Sequence, residues 1–294
     1  MSVSWIRGTG VALITPFKKD QSVDFNVLEK LVHKVTADGV NYLVALGTTA
    51  ETPTISKEEK QDIVKCILSA NQQKLPVVLG AGGNNTRSVL QMMQEHPMDE
   101  ISAILSVVPY YNKPTQAGMI AHFKEIDRHA SKPIILYNVP GRTGANMNAS
   151  TSIQLAKECN HVMAIKEASG NMVQCMQLVQ EAPEGFSVLS GDDDLILAQL
   201  ALGFQGVISV AANCFTSTFC NMVTLGLNNQ FDEARKLHYS LLEGIQLLFT
   251  EGNPAGVKAA LHIQSLCENV LRLPVVPVSD STYQLLQTFI KRLA

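Results

Sequence analysis

Lys166 closes a short apolar run, Val162-Met-Ala-Ile165, and is followed by Glu167-Ala-Ser-Gly170. Such a run bounded by turn residues reads as a buried strand. An ammonium there is costly unless it is paired or loses its charge. Desolvation lowers a lysine's pKa, and a neutral amine attacks a carbonyl to form a Schiff base. A lysine that snorkels from a strand end into water is the plain alternative. A second run ends Ile135-Leu-Tyr137-Asn-Val-Pro140-Gly-Arg142-Thr-Gly144 and brings a phenol and a guanidinium. The guanidinium suits a carboxylate. A third ends Gly47-Thr48-Thr49-Ala50-Glu51, whose hydroxyls and amides could cradle a carboxylate or cap a helix. A fourth ends Pro109-Tyr110-Tyr111-Asn112, and two adjacent loop tyrosines seldom both pack in a core.

These groups need a scaffold that gathers strand ends. Candidate strands lie at 9–14, 42–46, 77–80, 103–108, 134–138, 162–166, 187–190 and 206–210, with amphipathic stretches between them. One such stretch, 27–37, has Leu28, Leu31, Val32 and Val35 at helical spacing. Alternating strands and helices predict a parallel sheet, and eight units match a closed (β/α)8 TIM barrel of the α/β class. An open doubly wound sheet is the main competitor. Neighbouring strands lie about 4.8 Å apart, so Tyr137 and Lys166 can meet in a barrel mouth. Alternation places Tyr137 with Ile135 on one face, and Lys166 with Ala164 and Val162. The chain divides into a catalytic barrel over 1–228 and a C-terminal helical appendage over 229–294, with helical stretches at 231–250, 255–271 and 282–293.

The 294 residues are 46% hydrophobic with a formal net charge of −3, and no basic stripe favours nucleic acid. No charge occurs between Asp194 and Asp232, but polar residues and glycines interrupt that stretch, so it reads as buried helix-strand-helix and not as a membrane span. The start of the chain lacks an apolar signal region. Six scattered cysteines read as reduced thiols of a cytoplasmic protein, and the histidines form no metal pattern. Gly80-Ala-Gly-Gly83 is not a dinucleotide fingerprint. Asp192, Asp193 and Asp194 read as acids opening the helix after strand seven.

Taken together, these strand ends resemble the pyruvate-dependent class I aldolase and lyase superfamily, and within it the 4-hydroxy-tetrahydrodipicolinate (dihydrodipicolinate) synthases. The motifs that carry the likeness run in order from Gly10-Val-Ala-Leu-Ile-Thr-Pro16 to Leu273-Pro-Val-Val-Pro277, and include Ile165-Lys-Glu-Ala-Ser-Gly-Asn171 and Ser190-Gly-Asp-Asp193. The resemblance implies condensation of pyruvate with aspartate semialdehyde through an imine on Lys166, with no separate cofactor. It implies a proton relay of Thr48, Tyr137 and Tyr111, the last reaching in from a neighbouring subunit. Thr49 would contact pyruvate's carboxylate, Arg142 that of the semialdehyde, and the backbone of Gly191 and Ile208 would line the lysine's surroundings. Arg142 favours the synthases over the sialic-acid lyases, which lack it. An aldolase for longer 2-keto acids and a keto-acid sensor without turnover remain competing readings. The chain departs from the family at Ala50, where many members have glycine.

The same resemblance implies a homotetramer built as a dimer of dimers, with Tyr110 and Tyr111 at the tight interface and Met172, Val173 and Leu202 as candidates for the weaker one. Members inhibited by lysine use histidines and a glutamate at positions that here hold Lys57, Lys60 and Ser88, while Asn84 and Tyr110 are kept. The exchange removes the anion that would pair the ligand's ammonium, so weak or absent inhibition is expected.

Overall fold

A computed structural model describes residues 4–293. Eight parallel strands close into a barrel in sequence order: β1 (Gly8–Ala12), β2 (Tyr42–Ala45), β3 (Val77–Gly80), β4 (Ala103–Val107), β5 (Ile134–Asn138), β6 (Val162–Glu167), β7 (Ser187–Ser190) and β8 (Gly206–Ser209). β8 pairs back onto β1, which decides against the open sheet. Nearly every strand residue is buried, as expected where one face meets the barrel interior and the other meets helices.

Two apolar layers result. Inside the barrel lie Ile6, Tyr42, Val44, Val78, Leu105, Ile135, Tyr137, Ala164, Leu189 and Ile208, among others. The Tyr42 ring fills the space over Gly10, where a Cβ would lie 2.0 Å from the ring, so only glycine fits. The larger layer lies between strands and helices. Each large aliphatic side chain buried there is worth about 1.5–3 kcal/mol relative to exposure. Val162 belongs to this outer layer, contrary to the alternation expected for β6. The register between β5 and β6 runs Ile134–Val162 and then Ile135–Ala164, so the extra residue Met163 breaks the alternation.

The helices are α1 (Phe25–Ala37), α2 (Lys57–Asn71), α3 (Thr86–Gln94), α4 (Gln116–His129), α5 (Pro140–Thr143), α6 (Ala149–Glu158), α7 (Met172–Glu181), α8 (Ile196–Leu202) and α9 (Thr216–Leu227). Side chains start many of them. Ser56 and Glu59 form a capping box on α2, Asp24 caps α1, and Asn171 caps α7. The acids before α8 do not cap it. Leu195 is its N-cap, and Asp193 instead accepts the backbone N–H groups of Val210 and Ala211 beyond β8.

Beyond α9 lie α10 (Phe231–Phe249), α11 (Ala255–Ile263) and α12 (Asp280–Leu293). α11 ends earlier than the 255–271 stretch predicts, because Ser265 turns into the left-handed region (φ 59°). α10 packs along α9, and the rings of Phe215 and Phe289 meet edge to face at 5.6 Å, so these helices share the barrel's outer layer.

Candidate active site

Tyr137 and Lys166 are register partners on β5 and β6. Both are 6% exposed, and the lysine Nζ lies 4.2 Å from the centre of the tyrosine ring. The residues that follow them, Asn138 and Glu167, are fully buried and face away from the barrel interior. There the Asn138 amide donates to both carboxylate oxygens of Glu167, at 3.2 and 3.1 Å. Glu167 also accepts from the Ser169 N–H at 2.8 Å and the Gln174 amide at 3.0 Å. This amide-solvated carboxylate fixes the register that sets Tyr137 beside Lys166.

The lysine opens into a cavity of about 190 Å³ lined by Thr48, Thr49, Tyr137, Arg142, Gly191, Asp192 and Asn253, with apolar walls from Ala12, Leu105, Val139, Ala168, Val210 and Phe249. Gly191 is required by close approach. A Cβ there would lie 2.6 Å from the Ala168 Cβ and 2.8 Å from the Lys166 Cε. Thr48 and Thr49 sit on a single 3-10 turn after β2, the first exposed and the second buried. The Thr49 hydroxyl accepts from the Asn253 amide at 3.0 Å, and the Asn253 carbonyl accepts from the Arg142 guanidinium at 3.3 Å. One residue between α10 and α11 thus holds both candidate carboxylate contacts. A larger cavity of about 310 Å³ adjoins, also lined by Thr48, Tyr137 and Arg142, and reaches Lys60 and Tyr110.

Six of the eight residues singled out in the sequence line the smaller cavity: Thr48, Thr49, Tyr137, Arg142, Lys166 and Gly191. Ile208 lies fully buried in the barrel interior, and Val210 from the same segment lines the cavity instead. Tyr111 is 86% exposed and lies outside the cavity, with its backbone in the left-handed region (φ 70°). Asn253 was missed because nothing in Gly252-Asn-Pro254 distinguishes a site residue from a turn. Asp192 belongs to the acidic run read as a helix start. Burial raises its carboxyl to about 7, and Asp194 and Glu167 push the same way against the Gly170 N–H and Lys166. Among the described residues, no group of three or more histidines, cysteines or acids is placed to hold a metal ion. No described helix is long and apolar enough to cross a membrane.

The profile of the Dihydrodipicolinate synthetase family matches residues 6–293. The chain belongs to that family. It is 52% identical to the 4-hydroxy-tetrahydrodipicolinate synthase of Azobacteroides pseudotrichonymphae, over 95% of this chain and 94% of that one. It is 48% identical to the synthase of Parabacteroides distasonis, over 98% and 97%. Among solved structures, the dihydrodipicolinate synthase of Aquifex aeolicus superposes with a TM-score of 0.95 at 37% identity, covering 98% of both chains. A structure described as the first monomeric dihydrodipicolinate synthase variant also reaches 0.95 at 37% identity, covering 98% of this chain and 97% of that one. The family's fold is thus present from end to end, with the Lys166 cavity at the C-terminal mouth of its barrel.

Proposed function

We infer that this chain is the lyase that condenses pyruvate with L-aspartate 4-semialdehyde to give 4-hydroxy-tetrahydrodipicolinate, a step of lysine (diaminopimelate) biosynthesis. The observation that carries the reading is the buried Lys166 beside Tyr137, in a cavity whose other cation is Arg142. Lys166 adds to pyruvate's ketone and water leaves, giving an imine. Loss of a methyl proton turns the imine into a nucleophilic enamine, which adds to the aldehyde carbon. Thr48 and Tyr137 line the same cavity and carry protons between carbon, aldehyde oxygen and solvent. Thr49 contacts the pyruvate carboxylate, and Arg142 pairs with that of the semialdehyde.

No separate cofactor is needed, because the covalent imine supplies the electron sink. Gly191 keeps room for the lysine stem, and the Ile208 segment closes the barrel beneath it. Tyr111 completes the relay from a second copy, which makes the working unit an oligomer, a dimer of dimers. The barrel over 1–228 carries the chemistry and 229–294 braces it, in a cytoplasmic enzyme. The test is borohydride reduction in the presence of pyruvate, followed by mass mapping. One pyruvate-derived adduct per chain at Lys166, absent from Lys166→Ala, is expected. Labelling of another lysine with Lys166→Ala still modified would sink the mechanism.

A further inference from the structure

Asp192 is the one carboxylate that lines the Lys166 cavity among the described residues. Its side chain is half-buried, makes no ion pair, and accepts a single protein hydrogen bond, from the Gly170 N–H at 3.2 Å. Its backbone is held by Ser190, whose hydroxyl accepts from the Asp192 N–H at 3.0 Å and donates to the Asp192 carbonyl at 3.1 Å. The preceding residue, Gly191, packs against the lysine stem. The ionisable groups around it are Lys166 and Glu167 on β6, Asp194 on its own loop, and Tyr137 and Arg142 on the other cavity walls. An acid so placed, unpaired and partly desolvated, is poised for an ammonium or for a proton.

The second substrate of the inferred reaction is a zwitterion. Its carboxylate and ammonium sit on one carbon, so whatever meets the ammonium shares a cavity with Arg142. After carbon–carbon bond formation, that nitrogen must reach the carbon still joined to Lys166. Asp192 lines the cavity that holds both Arg142 and Lys166.

We propose that Asp192 binds the ammonium of the semialdehyde and then acts as the base that frees it to close the ring and release Lys166. Asp192 takes one proton from the ammonium, and the resulting amine adds to the iminium carbon. A second proton passes from the new nitrogen to the lysine nitrogen, the carbon–Nζ bond breaks, and Lys166 leaves as a free amine. The cyclic iminium then gives its last proton to solvent. Charge and atoms balance with no further reactant. A carboxyl raised by burial to about 7 is a better match for an amine's proton than an ordinary aspartate.

The assignment rests on the reading given under Proposed function, and the two are separable. Wild-type enzyme that fails to consume aspartate semialdehyde with pyruvate overturns that reading. The proposal itself is tested in Asp192→Asn by single-turnover mixing, borohydride quench and intact mass. The variant is expected to form the pyruvate adduct at the wild-type rate, to accumulate an adduct carrying both substrates' carbons, and to release product about a hundred-fold or more slowly. With 4-oxobutanoate, an aldehyde of the same length without the amine, adduct formation should be equal in both proteins. Asp192→Glu should recover part of the release rate, and the acid limb of the wild-type rate profile near neutral pH should vanish in Asp192→Asn. Unchanged release and pH profile, or loss of pyruvate imine formation itself, would overturn the assignment.

Discussion

Lys258 on α11 lies wholly inside the protein with its ammonium 2.5 Å from the Glu51 Oε1. Glu51 follows the threonine turn and adopts the left-handed conformation (φ 58°). Its other oxygen accepts the Arg272 backbone N–H at 3.0 Å, and Lys258 also donates to the Val270 carbonyl at 2.9 Å. The Phe17 ring meets both cations, its centre 4.0 Å from the Lys258 ammonium and 4.4 Å from the Arg272 guanidinium. Burial lowers the lysine's pKa and Glu51 holds it up.

Removing one partner leaves a buried charge without its counterpart. Glu51→Gln or Lys258→Met alone should therefore cost about 3–5 kcal/mol, while a double replacement by apolar residues should regain most of it. Denaturant unfolding of the three variants measures this. A single variant as stable as wild type would show that the pair is dispensable.

Arg142 is exposed and held by one hydrogen bond to the Asn253 carbonyl, so its guanidinium remains available to a ligand. A charge-assisted carboxylate contact is worth about 1.5–3 kcal/mol. Arg142→Ala should lower kcat/KM for the semialdehyde by about ten- to a hundred-fold, the same energy expressed as a rate. Imine formation with pyruvate should be unaffected. Normal turnover of the semialdehyde by the variant would remove Arg142 from the substrate assignment.

Tyr111 is exposed on a loop whose backbone is already held in an uncommon conformation. If a second copy receives it, Tyr111→Phe should depress turnover without changing unfolding. Activity per chain should also fall on dilution, in step with dissociation seen by sedimentation. A monomer with full activity at low concentration would contradict the shared site.

Lysine feedback should be weak. Lys57 is engaged with Glu95 at 2.7 Å, and Lys60 lines the larger cavity beside Tyr110. Ser88 is exposed on α3 and carries no charge to meet an ammonium. A free lysine entering there brings two ammonium groups toward a cation, so initial rates should barely respond to it. Submillimolar inhibition would mean that these positions do not set the response.

His122 on α4 donates or accepts one bond, with the Thr86 hydroxyl at 2.8 Å, and burial pushes its pKa down to about 4. Unfolded, the ring titrates near 6.5. Between those values the unfolded chain takes up the proton first, so stability falls as pH drops, by up to about 3 kcal/mol. Burial depresses His96 and His238 in the same direction. Asp193 acts oppositely. Burial raises it to about 6, so its contribution is present below 3.8 and is lost as pH rises through about 6. His122→Gln should flatten the decline measured by denaturant unfolding between about pH 7 and about pH 4.5. An unchanged slope would assign the effect elsewhere.

The barrel was legible because its strands are apolar, short and bounded by turns, and because eight of them alternate with helices. Strand bounds at 77–80, 134–138 and 187–190 match those observed. The side on which Val162 falls was not legible, since one inserted residue flips a strand's faces and leaves no mark on composition. Lys166, Tyr137, Thr48, Thr49 and Arg142 announce themselves as reactive groups at strand ends. Asn253 and Asp192 do not. The first arrives from a helix connection about two hundred residues away from its partner Thr49, and the second hides in an acidic run whose neighbours have other duties. Contacts that depend on tertiary closure leave no local pattern.

The ties from Asn253 to Thr49 and Arg142, and from Lys258 to Glu51, also order events during synthesis. Every strand and every group that touches pyruvate has left the ribosome before Asn253 and Lys258 are made. Until they emerge, the threonine turn and the arginine lack their braces, and Glu51 has no buried counter-charge. The nascent barrel is therefore complete in outline before the walls of its cavity are braced, and the stretch from Asn253 into α11 supplies those braces last.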